Sequence, residues 1–204
     1  MGKKPPSKQE ILELEPYTGL GLEQVRLIGS AEEAQQALVE MGAHGALGFD
    51  TESRPTFVKN QRSCGPHVLQ FATPERAYIF QSHHRECHPA IAEVLKSDHI
   101  AKIGFGLSND IRHIGDRFGI EPQAIVDLDR AFMDLGYKNQ VGARTAIAIL
   151  FNKRFAKSKS TTTSDWSNKV LSEKQLLYAA NDAYAAIQVY RALKKRPPPA
   201  GPTR

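Results

Sequence analysis

The chain has 204 residues, 41% of them hydrophobic and 24% charged, with a formal net charge of +5 and a sequence pI of about 9.2. These figures suit one globular domain with a sizeable core and favour an anionic partner such as nucleic acid. They argue against a membrane protein, because no apolar run approaches the ~18 residues a span needs, and Cys64 and Cys87 make neither a disulfide framework nor a CxxC pair, which fits a reducing cytoplasm.

The start, "MGKKPPSKQE", has positive charge but no apolar segment behind it, so it does not read as a signal peptide. Residues 1–20, rich in Lys, Pro, Glu and Gly, read as a flexible arm, and residues 21–195 as the folded domain. "QVRLIG" is expected as a strand. Ser30 with Glu33 three residues on is a capping-box signature for the helix "AEEAQQALVEM". "GALGFDTE" follows as a strand, then "HVLQFAT" and "RAYIFQ", which the short link "PE" marks as a hairpin. A helix around "PAIAEVLKS", the strand "IAKIGFG" and the helix "SNDIRHIGDRFG" come next. "AIVDL" is a short strand leading into "DRAFMDLG". Residues 143–152 form a short helix and 173–194 a long one; the Pro-rich end, 196–204, is a tail. Strands that first pair as a meander and later alternate with helices imply an α/β domain with a mixed sheet flanked by helices.

Five residues are the candidates for chemistry. Asp50 and Glu52 lie two apart at the end of a strand, so they share a face. The pair is either a solvated strand end or the holder of a cation, because adjacent like charges repel. Asp110 sits where "KIGFG" gives way to a helix, a junction where functional groups gather in α/β sheets. Its structural alternative is an acid complementing the helix dipole. Tyr178 and Asp182 are four apart on the long helix and share a face, with alanines around them that permit close approach to the sheet.

Asp and Glu at i and i+2 on a strand, an Asp opening a helix and Tyr-x-x-x-Asp on a late helix resemble, in that order, the DEDD 3′–5′ exonucleases. The subclass is the one with Tyr before the last Asp. The resemblance runs from about residue 24 to 194 and includes "GFDTESRPTF", "VLQFAT", "KIGFGLSNDIRHI", "KSKSTTTSDWS" and "LYAANDAY". Within the superfamily the pattern looks most like the exonuclease domain of the Werner syndrome helicase and its bacterial stand-alone relatives, with ribonuclease D more distant. The resemblance implies a ribonuclease H-like fold and two divalent cations, Mg²⁺ or Mn²⁺, which suit oxygen-only ligands. It implies that Asp50 bridges both cations, that Glu52 and Asp182 complete the inner site, and that Asp110 holds the second cation. Tyr178 then orients a water that releases a nucleoside 5′-monophosphate from a 3′ end. DNA is the favoured substrate; RNA, as for a ribonuclease D-like or short-oligoribonucleotide hydrolase, and a non-catalytic nucleic-acid-binding domain are the alternatives.

"NKRFAKSKS" carries Lys153, Arg154, Lys157 and Lys159 with no acid among them. It reads as a solvated loop or as a phosphate-backbone contact, and its match to the family segment ending in Ser/Asn-x-Trp favours the second. Trp166 stacks a base or packs the root of that loop. Arg54 contacts phosphate or pairs with a neighbour, and Phe57 wedges a terminal base or packs beneath its loop. Arg144 and Thr145, where the family has a Gly-Leu-x-x-Leu character, and Asp165, where Asn is common, depart from the pattern on the substrate side. "HHRECH" offers zinc-type ligands but not a regular four-ligand set.

Overall fold

The computed structural model describes residues 2–55 and 64–196. The first element is a short helix, α1 (Lys8–Leu12), started by a full capping box between Ser7 and Glu10. Strand β1 (Val25–Ile28) leads to helix α2 (Ala31–Gly42). There the Ser30 hydroxyl accepts from the Glu33 amide, as expected, while the Glu33 carboxylate accepts from Gly29, one residue earlier than a capping box requires. Strands β2 (Ala46–Glu52), β3 (Val68–Ala72) and β4 (Ala77–Gln81) form an antiparallel meander. Helix α3 (His88–Lys96), strand β5 (Ala101–Gly104) and helix α4 (Ser108–Phe118) follow. Gly119, with a positive φ, ends α4 in the left-handed conformation that glycine adopts without steric cost. Strand β6 (Ile125–Asp127) and helices α5 (Leu128–Asp134), α6 (Ala143–Phe151), α7 (Lys159–Thr162) and α8 (Glu173–Lys194) complete the chain.

Among the described residues the strands form one mixed sheet in the order β1-β4-β3-β2-β5-β6, with β1–β4, β2–β5 and β5–β6 parallel. Alternating side chains supply two cores. Leu47, Phe49, Leu69, Phe71 and Phe80 pack with α2, α3 and α4 on one face. Val68, Ala72, Ile79 and Ile103 pack with α5, α6 and α8 on the other. The result is the ribonuclease H-like arrangement of helices on both faces of a mixed sheet, with α8 lying across β2 at the centre.

The N-terminal segment expected as a flexible arm is instead laid against the domain. Tyr17 packs on Phe151 and Phe155 with ring centroids 5.6 and 6.1 Å away, its amide donates to the Arg154 carbonyl (2.9 Å), and Leu20 is buried. Composition suggested solvation, but one aromatic and one leucine with partners elsewhere in the chain are enough to dock it. The Pro-rich tail beyond Arg196 and Phe57 lie outside the described residues.

Candidate active site

The sheet and α8 bring three carboxylates together. Asp50 and Glu52 project from the end of β2 towards α8, and Asp182 comes down from that helix. One oxygen from each lies within 4.8 Å of the others, the one such His/Cys/Asp/Glu cluster among the described residues. Gly48 explains how α8 comes so near. A Cβ at this position would stand 1.9 Å from the Ala183 carbonyl oxygen and 3.1 Å from the Ile187 nitrogen, so helix backbone lies directly on strand backbone. Buried Ala179, Ala183 and Ala186 keep the helix face thin.

Asp110, in the first turn of α4, lies outside that mutual set and accepts a short hydrogen bond from the Thr51 hydroxyl. It is close enough for its charge to raise the Asp50 carboxyl. Tyr178 lies one helical turn before Asp182. Its hydroxyl lies 2.9 Å from that of Thr162, whose single proton is directed to the Ser158 carbonyl (3.0 Å), so the phenol donates to Thr162 and its lone pairs are left to receive from a water. Burial, then the Asp182 charge, pushes this phenol up to about 12, so it stays neutral at ordinary pH.

The electrostatics suit a cation. Burial, then the charges of Asp182 and Asp110, raises the Asp50 carboxyl to about 8. Burial, then Asp50 and Asp182, raises Glu52 to about 9. Asp110 and Asp182 are also raised, chiefly by burial. Asp182 is 4% exposed, and its Oδ1 accepts no hydrogen bond. Carboxylates gathered this closely, one with an orphaned buried oxygen, are costly unless positive charge is supplied. Hard oxygen donors with no imidazole or thiolate are the donor set of divalent cations of the magnesium type. The residues therefore fit a divalent metal.

The expected nucleic-acid contacts divide. Lys157 is not a solvated loop cation: its ammonium lies 2.7 Å from Asp182 Oδ2 and 5.6 Å from the centre of the Tyr178 ring. Arg154 turns its guanidinium to the Leu12 carbonyl (2.8 Å), so it ties down the N-terminal segment. Trp166 is wholly buried, with its ring 5.8 Å from that of Tyr178, and offers no face to a base. Lys159 is exposed on α7 and Lys153 half-buried, so both can meet a phosphate backbone. Arg54 faces Asp165 across 3.9 Å in a solvent-exposed pair. His84 pairs with Glu86, His88 contacts the Ser82 carbonyl, and the "HHRECH" stretch forms no metal cluster.

Residue-by-residue reading missed Thr51, Thr162 and Gln70. Gln70 is fully buried opposite Asp50 in the β2–β3 ladder, and neither end of its amide has a partner. Its place in "VLQFAT", a polar residue inside an apolar strand, was the available signal.

Fold and carboxylate cluster together define a nuclease-type domain. A family model described as 3′-5′ exonuclease matches residues 25–197, and the chain belongs to that family. It is 29% identical over 149 residues to the mouse bifunctional 3′-5′ exonuclease/ATP-dependent helicase WRN, covering 72% of this chain and 11% of that protein. The crystal structure of the Aedes aegypti Nibbler EXO domain superposes with a TM-score of 0.73 at 22% identity, covering 88% of this chain and 92% of that one. Trypanosoma brucei RNase D in complex with RNA U12 superposes with a TM-score of 0.76 at 15% identity, covering 93% and 66%. These two likenesses establish the fold. The chain spans 11–53% of the length of three curated relatives that it matches.

Proposed function

We propose that the chain is a divalent-metal-dependent 3′–5′ exonuclease that hydrolyses the terminal phosphodiester of nucleic acid, with DNA favoured, and releases nucleoside 5′-monophosphates. The observation that carries this reading is the convergence of Asp50, Glu52 and Asp182 within 4.8 Å, beside Tyr178. Two cations, Mg²⁺ or Mn²⁺, held by Asp50, Glu52, Asp182 and Asp110, would stabilise the charge that builds on the attacking and leaving oxygens.

The chain's own residues supply position and charge. Tyr178, held by Thr162, orients the attacking water by accepting a hydrogen bond from it at the phenolic oxygen, without ionising. That water adds to phosphorus, the bond to the preceding 3′ oxygen breaks, and a proton from the water leaves to solvent as the 3′ oxygen gains one. Lys153 and Lys159 offer charge to the strand behind the reacting end. The RNA held by the trypanosomal RNase D supports RNA as the second reading.

The test uses matched 5′-labelled DNA and RNA oligonucleotides, single-stranded or with recessed 3′ ends, in Mg²⁺ or Mn²⁺. A shortening ladder is expected, with loss of activity in EDTA and in Asp50→Ala, and a fall of ~10²-fold in Tyr178→Phe. Full cleavage in excess EDTA, or by the Asp50→Ala protein, overturns the mechanism. Tight binding with no cleavage in either metal assigns the chain to the non-catalytic binding domains.

A further inference from the structure

Lys157 occupies a position that no surface role explains. Its side chain is 25% exposed, against 3% for the side chain of Asp182, its partner. The backbone that carries it is held by Arg144, whose guanidinium donates to the Lys157 carbonyl at 2.5 Å. Lys157 lines two spaces at once. One is the small cavity shared with Asp50, Asp182 and Gly142. The other is a groove of about 600 Å³ where Lys8, Arg144 and Arg154 also stand and no acid does. The ammonium therefore sits where an anionic strand entering along the basic groove meets the carboxylate cluster.

An ammonium has three donors and no acceptor. The ion pair engages Asp182 Oδ2, 2.7 Å away, and Asp182 Oδ1 is the oxygen left to a metal. Charge accounting points the same way. Four carboxylates balance two divalent cations, so a lysine retained in the loaded site adds one positive charge, the complement of one phosphodiester.

We propose that Lys157 is a resident cation of the catalytic centre: it holds Asp182 by Oδ2 and presents its remaining N–H groups to the phosphodiester that is cleaved. This deepens the exonuclease reading and rests on it. Lys157 fixes one metal-binding carboxylate and stabilises the charge that develops on the non-bridging oxygens of the phosphorane-like transition state. A like charge beside the metals opposes their binding, so Lys157 weakens metal affinity while it speeds turnover. A residue that merely neutralised Asp182 would oppose metal binding equally but would leave turnover at saturating metal unchanged.

The test compares wild type, Lys157→Met and Lys157→Arg, full chain in each case. Mn²⁺ affinity is measured by calorimetry without substrate, and turnover on the 5′-labelled oligonucleotides at saturating Mn²⁺. Lys157→Met is expected to bind Mn²⁺ about tenfold or more tightly and to lose about 10²-fold in kcat. Lys157→Arg, which keeps the charge, recovers most of both. Lys157→Gln replaces the Met variant should that protein fail to fold, with the same outcomes expected. A Lys157→Met turnover within about threefold of wild type overturns the proposal, as does Mn²⁺ affinity that is unchanged or weaker. Failure of the broader reading looks different: wild-type protein that binds Mn²⁺ and leaves both oligonucleotides intact refutes the exonuclease activity, and with it the phosphodiester contact of Lys157.

Discussion

Replacing Gly48 with alanine adds one methyl group where strand β2 meets helix α8. The new Cβ would lie 1.9 Å from the Ala183 carbonyl oxygen and 2.8 Å from its carbon, against an ordinary contact of at least 3.4 Å. Both neighbours are backbone, so no rotamer relieves the clash, and the two elements must part by about 1.5 Å. Strand β2 is held on both sides, with Gly48 opposite Ala72 on β3 and Ile103 on β5, so the helix is the element that yields. Asp182 precedes Ala183 and moves with the helix, while Asp50 and Glu52 stay with the strand. Overpacking of this kind costs about 1–3 kcal/mol, and a displacement of ~1 Å at a reacting centre costs about 10²-fold in rate. The assay pairs thermal melting with turnover at saturating Mn²⁺ and a Mn²⁺ titration. Gly45→Ala is the control, since a Cβ there meets nothing within 4 Å. Gly48→Ala protein with kcat within threefold of wild type and a melting temperature within about 2 °C would refute the claim that this contact sets the metal site.

Stability without metal should fall as pH rises from about 5 to 9. Burial and neighbouring carboxylates raise Asp50 to about 8 and Glu52 to about 9 in the folded protein, from ordinary values of 3.8 and 4.5, so the native state holds protons that the unfolded chain has released. The stabilising protons are fully in place below the unfolded values and are lost as pH climbs through the folded ones. Melting in EDTA reads this slope, and saturating Mn²⁺ should flatten it; a melting temperature that rises across this window in EDTA contradicts it. Gln70→Met should stabilise the protein by about 1–2 kcal/mol in urea unfolding, because it removes a buried amide without partners at similar volume. A loss of stability would show that the amide is satisfied. Tyr17→Ala should cost about 1–3 kcal/mol by undocking the N-terminal segment from Phe151 and Phe155. An unchanged unfolding midpoint would return that segment to the flexible arm suggested by its composition.

Apart from α1 and α7, the order of strands and helices was legible in the chain itself, and so were the three carboxylates that the fold gathers. The reason is that their signals are local or ordered along the sequence. Alternation marked β2 and β3, Ser30 and Glu33 marked the start of α2, and Asp50, Glu52, Asp110, Tyr178 and Asp182 follow the family's spacing. Irregular segments lack a period that would tell which way a side chain points. Sequence alone therefore left Lys157 between a solvated cation and a phosphate contact, left Trp166 between stacking and packing, and made residues 1–20 an arm. Packing decided: it placed the Lys157 ammonium on Asp182, buried Trp166 beside Tyr178 and docked Tyr17 on Phe155. The distance of Asp182 from Asp50 and Glu52 belongs to the same class. It depends on how near α8 can come to β2, which the missing side chain of Gly48 sets only once both elements are in place.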